Sequence, residues 1–176
     1  MTTTTETATA RSTVLGFPNP VNELAARTVA GGVLLLSALT LVLSLAVSSK
    51  WLWLSAALAY GFVARVLTGP TLSPLGQLAT RVIAPRLGPA KLVAGPPKRF
   101  AQSIGAFVTA TTVIFVAVGL AGAAELLLGV IVIFATLESV FGYCVGCKIF
   151  GALMRAGLIP AATCEACANI SLRAAS

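Results

Sequence analysis

The sequence predicts an all-α integral membrane bundle of four transmembrane helices, arranged as two helical hairpins. Of its 176 residues, 57% are hydrophobic and only 10% are charged, whereas soluble domains carry about 25% charged residues. Mean hydropathy is +0.97, so apolar side chains must cover the outer surface as well as fill the core. Four long apolar runs provide the predicted spans: 28–48, 51–67, 104–120 and 124–145.

Helices account for these runs better than strands do. A transmembrane helix needs roughly 20 apolar residues to cross roughly 30 Å of hydrocarbon. The runs at 51–67 and 104–120 are shorter than that, and we expect interfacial residues to extend them. Four strands cannot close into a barrel, whereas a helix satisfies its own backbone hydrogen bonds in lipid.

The chain divides into a membrane domain and a short tail at each end. Residues 1–16 are rich in threonine and lack periodicity, which predicts a disordered tail. The membrane domain extends over 17–170, and 171–176 form the second tail. Asn19 and Pro20 predict the first helix start, because asparagine caps helices and proline suits the first helical position.

The connections between the runs predict the orientation of the chain. Residues 49–50 and 121–123 are short enough for tight turns, so each pair of spans forms a hairpin. The middle loop, 68–103, contains five cations and no acid: Arg81, Arg86, Lys91, Lys98 and Arg99. The positive-inside rule places this loop in the cytoplasm, and four crossings then place both termini there as well.

The middle loop also predicts a short amphipathic helix on the inner leaflet. Ser73 and Pro74 form a start signal, and apolar residues follow at helical spacing: Leu75, Leu78, Ala79, Val82 and Ile83. We expect the loop's cations to contact anionic lipid headgroups, at about 1 kcal/mol each. A site for a small sulfate-like anion is the alternative. Nucleic acid is excluded as a partner, because the loop is anchored at the bilayer and lacks interleaved aromatic residues.

Two charged residues fall inside the predicted spans. Arg65 lies near the inner end of 51–67 and Glu138 lies in the inner half of 124–145, so their depths are similar. An unpaired charge in a bilayer costs several kcal/mol, and we therefore expect the two side chains to form an ion pair. The pair either joins two helices or gates protons or substrate beside the cysteines.

Residue types that the chain lacks exclude several kinds of site. It contains no histidine and no aspartate, and it has five glutamates. Histidine-ligated metals, histidine-ligated haem and a Ser-His-Asp triad are therefore excluded. The same composition disfavours hydrolysis by a pair of carboxylates. The sequence leaves open whether the protein is an enzyme.

All four cysteines lie in two C-x-x-C pairs: Cys144 with Cys147, and Cys164 with Cys167, within a cytoplasmic segment at 144–170. Thiolates both attack disulfides and bind metals, so two chemistries fit. In the redox interpretation each pair closes a small disulfide ring, with Cys144 or Cys164 attacking and its partner resolving. If Cys144 opens the following helix its pKa falls, and if it closes the preceding helix its pKa rises.

The alternative is a structural metal site made by all four cysteines. The spacing, C-x₂-C-x₁₆-C-x₂-C, falls within the range of four-cysteine zinc sites. Cys144, Cys147, Cys164 and Cys167 would then hold zinc, fold the C-terminal segment and do no chemistry. Gly146 suits the tight turn of a zinc knuckle. An iron–sulfur cluster fits less well, because its usual spacing is absent.

Several stretches resemble a bacterial membrane family, domain of unknown function 4395. They are FPNPVNELAAR, ARVLTGPTLSPLGQLATRVIAPRLGP, KLVAGPPKRFAQSIG and FGYCVGCKIFGALMRAGLIP, with CEAC after them. Together they extend over 17–170, nearly the whole chain. The resemblance implies a multi-span membrane protein with no established activity. It also implies thioredoxin-like and sulfurtransferase neighbours, which favours thiol or sulfur chemistry.

Three functions follow from these features. The first is a thiol–disulfide or sulfur relay with a thioredoxin-like or sulfurtransferase partner. The second is a scaffold without enzymatic activity, whose C-terminal segment is folded by zinc. The third is a small-anion transporter that uses Arg65 and the basic loop, and four spans would then require a homo-oligomer. The alanine, glycine and arginine content is typical of an actinobacterium, so the predicted location is the bacterial inner (plasma) membrane.

Overall fold

The computed structural model describes residues 13–14 and 17–164 of the chain, and it confirms the all-α fold class. The helices in this part are α1 (Glu23–Ala46), α2 (Ser55–Thr68), α3 (Pro74–Leu78), α4 (Ala84–Leu87), α5 (Gly95–Ala117), α6 (Ala121–Ser139) and α7 (Val145–Arg155). A 3₁₀ segment precedes α2, at Ser49–Leu54, and a π-helical turn joins α3 to α4, at Ala79–Ile83. Antiparallel two-residue strands pair β1 (Thr13–Val14) with β2 (Phe17–Pro18), and β3 (Val21–Asn22) with β4 (Leu92–Val93).

Four helical segments are long and apolar enough to span a membrane: Glu23–Ala46, Ser49–Thr68, Gly95–Ala117 and Ala121–Ser139. Only 17% to 33% of the residues in their most apolar stretches are buried inside the bundle. Large apolar side chains therefore cover the outside, and Leu35, Phe107 and Leu126 are examples that are each more than two-thirds exposed. A surface of this kind indicates contact with lipid.

The two predicted hairpins are not equivalent in the structure. The helices α5 and α6 are joined by a short turn and pack against each other, as predicted. The helices α1 and α2 are also joined by a short turn, yet α1 packs mainly along α6 and α2 packs mainly along α5. The first hairpin therefore opens beyond its turn.

Small and polar residues explain which helices pack together. Gly105 of α5 leaves the space that the ring of Phe62 on α2 fills, and Phe62 is buried there. Near the C-terminal end of α1, Ser44 donates a hydrogen bond to Glu125 Oε1 of α6 at 3.1 Å. Small residues allow helices in lipid to approach closely, and polar side chains bond across them. A side-chain hydrogen bond therefore joins α1 to α6, and a small residue allows α2 to approach α5.

Two helices begin elsewhere than predicted. The N-cap of α1 is Asn22, whose side chain accepts a hydrogen bond from Leu24 N at 3.0 Å. Asn19 instead accepts a hydrogen bond from Gly95 N, also at 3.0 Å, and so caps the first residue of α5. The start of α5 is Gly95 and not 104, because its two prolines occupy the first turn, where no backbone donor is needed.

The predicted amphipathic helix exists, but its apolar stripe is only partly buried. Three helical segments, α3, the π-helical turn and α4, follow one another without a break between the second and third spans. Gly76, Ala79 and Ala84 are buried, whereas Leu78 and Val82 are exposed. Contact of the exposed apolar residues with the inner leaflet stays a prediction.

Replacing Gly105 with alanine is expected to destabilise the bundle. The added Cβ would overlap with the Phe62 ring, and overpacking of this kind costs about 1 to 3 kcal/mol. Thermal unfolding in detergent micelles measures the effect. Gly129→Ala is the matched control, because nothing lies within 4 Å of its added Cβ, and it should keep or raise the melting temperature. Equal melting temperatures in the two variants would contradict the packing of α2 on α5.

Candidate functional site

The candidate site lies at the end of the bundle where α1 and α5 begin and α2 and α6 end, which we call the cysteine end. The last residue of α6 is Ser139, earlier than the predicted 145, and Gly142 then reverses the chain with a φ of +66°. Glycine reaches this left-handed conformation without strain. The next helix, α7, starts at Val145, so Cys144 opens a helix and does not close one.

Cys144 is the N-cap of α7, and Cys147 lies in its first turn. Cys144 Sγ accepts hydrogen bonds from Cys147 N at 3.4 Å and from Cys147 Sγ at 2.7 Å. Both side chains are free thiols. Cys144 is only 8% exposed, whereas Cys147 is partly exposed. The pair is therefore placed to form a disulfide, and its two sulfurs differ in access.

The pKa values of the two thiols move in opposite directions. The hydrogen bond that Cys147 donates lowers the pKa of Cys144, because it stabilises the thiolate. The positive charge of Lys98 acts in the same direction, and burial and Glu138 oppose it. The same hydrogen bond raises the pKa of Cys147, together with burial and the charge of Cys144. Cys144 is therefore the more acidic thiol of the pair.

Glu138 pairs with Lys98 and not with Arg65, so the ion pair predicted from similar depth is wrong. Lys98 Nζ lies 2.7 Å from Glu138 Oε1, and the two side chains are 11% and 17% exposed. The prediction failed because it placed Lys98 in a loop, in contact with lipid or anions. Lys98 belongs instead to the first turns of α5 and is buried.

Arg65 binds neutral partners. Its Nε donates to Gln102 Oε1 at 2.9 Å, and its Nη1 donates to Ser73 Oγ at 3.2 Å. The guanidinium carbon lies over the Phe62 ring, 4.6 Å from the centroid. Sequence reasoning missed Gln102, because an uncharged residue outside any motif gives no signal of its own. The α2–α5 contact alone brings Gln102 to Arg65.

Two contacts hold α7 against α5. A Cβ at Gly146 would lie 2.6 Å from Ala101 Cβ and 2.7 Å from Ala101 Cα, so only glycine permits this approach. Further along α7, the rings of Phe100 and Phe150 pack with their centroids 5.6 Å apart. These contacts fix the first turn of α7, which carries both thiols, beside the ion pair.

Arg27 of α1 donates hydrogen bonds to the C-terminal end of α6. Its Nη2 donates to the carbonyl oxygens of Ser139 and Val140, at 3.1 and 2.9 Å. A helix C-terminus leaves carbonyls without partners, and a cation there also interacts favourably with the helix dipole. Arg27 therefore helps to fix the point at which the span ends and the cysteine segment begins.

A cavity of about 80 Å³ adjoins the thiol pair inside the bundle. Cys144 and Glu138 line it, and most of the remaining wall is apolar, with Val33, Phe62 and Phe134 among its residues. Cys147 does not line it. The more acidic thiol of the pair therefore lines a cavity within the bundle.

The second C-x-x-C pair is only half described. Cys164 is buried and disulfide-bonded, and Cys167 lies outside the described residues. Among the residues that the structure describes, no three cysteine or acidic side chains lie close enough together to hold a metal ion. The four-cysteine zinc site stays a prediction, since one of its four ligands is not described.

The five cations of the predicted loop do not form one patch. Lys91 Nζ pairs with Glu23 Oε2 at 2.9 Å, and Arg99 Nε donates to the carbonyl oxygen of Val66 at 3.1 Å. Lys98 is buried in its ion pair. Contact of these cations with lipid headgroups or small anions stays a prediction, and three of the five are exposed: Arg81, Arg86 and Lys91.

Fold and site together define a class of protein: an all-α bundle with four candidate membrane spans and a C-x-x-C thiol pair beside a buried ion pair. Within that class, the chain belongs to the family described as Domain of unknown function (DUF4395), whose model matches residues 21–155. The match contains all four candidate spans and the first cysteine pair, and it ends before the second pair. Neither a curated protein nor a solved structure matches the chain.

Neutral substitutions at the ion pair are expected to move the pKa of Cys144 in opposite directions. Lys98→Gln removes a nearby positive charge, so the pKa rises, and Glu138→Gln removes a negative charge, so the pKa falls. Iodoacetamide labelling over a pH series, read at Cys144 by mass spectrometry, measures both shifts. Shifts of the same sign would contradict the charge arrangement around Cys144.

Gly146→Ala should loosen α7 from α5 and expose Cys144. The new Cβ would overlap with Ala101, and a cost of about 1 to 3 kcal/mol raises the undocked population about five- to 150-fold. Cys144 alkylation at fixed pH should be faster by a similar factor. Gly151→Ala, in the same helix, is the control, because nothing lies within 4 Å of its added Cβ. Identical rates in the two variants would count against the Gly146–Ala101 contact.

Proposed function

We propose that this chain is a multi-pass protein of a bacterial inner membrane that relays electrons between thiols, with Cys144 and Cys147 as its reactive pair. The observation that carries the proposal is the geometry of that pair: two free thiols, 2.7 Å apart, at the start of α7. One thiol has a lowered pKa, and the other is more exposed. Thiol–disulfide exchange depends on both properties.

The unequal burial of the two sulfurs assigns their roles. A partner's thiolate needs access to the sulfur that it attacks, and Cys147 is the more exposed of the two. The sulfur that leaves should have the lower pKa, which is that of Cys144. In this proposal Cys147 therefore binds the partner and Cys144 leaves. The assignment differs from the expectation drawn from the sequence, in which Cys144 attacks.

Reduction of a Cys144–Cys147 disulfide proceeds in two exchanges. A thiolate of the partner attacks Cys147 Sγ, so a partner–Cys147 disulfide forms, the Cys144–Cys147 bond breaks and Cys144 leaves as a thiolate. The partner's second thiolate then attacks the partner's bonded sulfur and releases Cys147 as a thiolate, which takes up a proton. Two electrons pass from the partner, which becomes a disulfide, to the pair. The reverse sequence oxidises the pair.

The cysteine end is proposed to face the cytoplasm. Arg81, Arg86 and Lys148 are exposed at that end, whereas Lys50 lies beyond the other end of α1, and cytoplasmic segments carry the excess of lysine and arginine. A cytoplasmic pair can exchange with thioredoxin-like proteins, which keep thiols reduced in that compartment. A sulfurtransferase is the second class of partner, since sulfane sulfur would pass to the same thiols.

Cys164 and Cys167 are proposed as a second dithiol that exchanges electrons with the first. Their position in the same short segment supports this role. A scaffold folded by zinc needs all four cysteines as thiolates, whereas Cys164 is disulfide-bonded. The relay is therefore the function that the cysteines support best.

The relay is tested by incubating the oxidised protein, in nanodiscs, with a reduced thioredoxin. We expect Cys144 and Cys147 to become alkylatable, with an equal number of thioredoxin thiols lost. A variant with serine at both positions is the control and should consume fewer thioredoxin thiols. A pair that stays oxidised, or that gains no thiols from thioredoxin, would contradict the relay.

The assigned roles predict which cysteine accepts a disulfide reagent. With Cys164 and Cys167 replaced by serine, Cys144→Ser leaves only Cys147, and Cys147→Ser leaves only Cys144. Glutathione disulfide should modify the first variant about tenfold faster or more, because exchange depends on access to the sulfur. Intact-protein mass spectrometry follows the added glutathione. Faster modification of Cys144 would reverse the roles.

A further inference from the structure

A second and larger cavity lies at the cysteine end. Its volume is about 620 Å³, and it lies between the N-terminal segment and helices α1, α2 and α5. Arg65, Lys98 and Gln102 line it, and much of the remaining wall is apolar, with Phe17 and Val21 among its residues. None of the described residues that line it is a cysteine. A cavity of this size lies within the range of small-molecule sites, about 300 to 1,000 Å³.

Arg65 has an unused donor in this buried position. The residue is 5% exposed, and its Nη2 has no hydrogen-bond partner. Its Nε and Nη1 bind Gln102 and Ser73, both of which are neutral. A buried donor without an acceptor costs about 1 to 3 kcal/mol, and more when it is charged. Arg65, which lines the cavity, therefore has fewer acceptors than a buried guanidinium can use.

The local charges also leave one positive charge uncompensated. Glu138 attracts the guanidinium of Arg65, but its ion pair, at 2.7 Å, is with Lys98, so no described carboxylate forms an ion pair with Arg65. The two other described glutamates are engaged elsewhere, Glu23 with Lys91 and Glu125 with Ser44. Buried charges are normally paired, because an isolated ion loses its hydration. The cavity that Arg65 lines therefore suits one negative charge.

We propose that this cavity binds an organic anion that has one acidic group and an apolar body. The acidic group pairs with the guanidinium of Arg65 and balances its charge. The apolar body lies against the wall that includes Phe17 and Val21. A free carboxylic acid and an anionic lipid share this chemistry. The inference does not depend on the thiol relay, because neither Cys144 nor Cys147 lines this cavity.

Octanoate is a suitable probe, with 1-octanol as its uncharged counterpart. The full-length protein is placed in phosphatidylcholine nanodiscs, and the melting temperature is followed as octanoate is added, since a ligand that binds only the folded state stabilises it. We expect octanoate to raise the melting temperature and 1-octanol to leave it unchanged. An equal response to the two compounds, or none, would overturn the proposal without any variant.

Arg65→Gln tests the residue itself. We expect octanoate to bind this variant about tenfold more weakly or worse, because a charge-assisted hydrogen bond is lost. Arg86→Gln removes an exposed cation outside the cavity and should bind octanoate as the wild type does. Equal octanoate affinity in Arg65→Gln and the wild type would overturn the proposal. If Arg65→Gln does not fold, the comparison of octanoate with 1-octanol on the wild type still tests the proposal.

Nanodiscs that contain phosphatidylglycerol identify the source of the anion. If a lipid supplies the acidic group, these discs stabilise the wild type more than Arg65→Gln, and added octanoate has little further effect. If a free acid is the ligand, octanoate stabilises the wild type equally in both kinds of disc. Either result supports the site. Stabilisation by phosphatidylglycerol that is equal in both variants, with no effect of octanoate, would contradict it.

Discussion

The buried ion pair between Lys98 and Glu138 is the interaction on which the cysteine end depends. It joins the first turns of α5 to the last turn of α6 over 2.7 Å, with both side chains largely buried. A carboxylate left alone at that depth would cost several kcal/mol, so the pair fixes where α5 meets α6. Because α7 packs on α5 just beyond, Cys144 lies in the field of Lys98. The Lys98–Glu138 ion pair therefore contributes both to helix packing and to the pKa of Cys144.

The four spans could be predicted from the sequence, because a bilayer imposes a length and a composition that hydropathy displays directly. The ends of the spans could not. Pro96 and Pro97 fall within the predicted loop at 68–103, yet both fit the first turn of α5, which begins at Gly95. Which helices pack against each other could not be predicted either. The α2–α5 packing depends on the contact between Phe62 and Gly105, and hydropathy does not encode such contacts.

Only those features of the site that depend on residue type and spacing could be predicted from the sequence. Spacing marked Cys144 and Cys147 as a pair, and the structure brings them together. Spacing could not decide whether Cys144 opens or closes a helix, because that depends on the chain reversal at Gly142. The similar depths of Glu138 and Arg65 in the membrane suggested an ion pair between them, but Glu138 pairs with Lys98 of α5. Contacts between elements far apart in sequence decide such partners.

The central claim is that Cys144 and Cys147 exchange two electrons reversibly within the folded bundle. It is tested most directly by equilibrating the purified protein, prepared without chelator, in glutathione buffers of stepped redox potential. Alkylation and mass spectrometry then count the thiols at each step, and metal analysis runs in parallel. The account predicts one reversible two-thiol transition at Cys144 and Cys147, without bound zinc. Thiols that never oxidise, together with stoichiometric zinc, would contradict it.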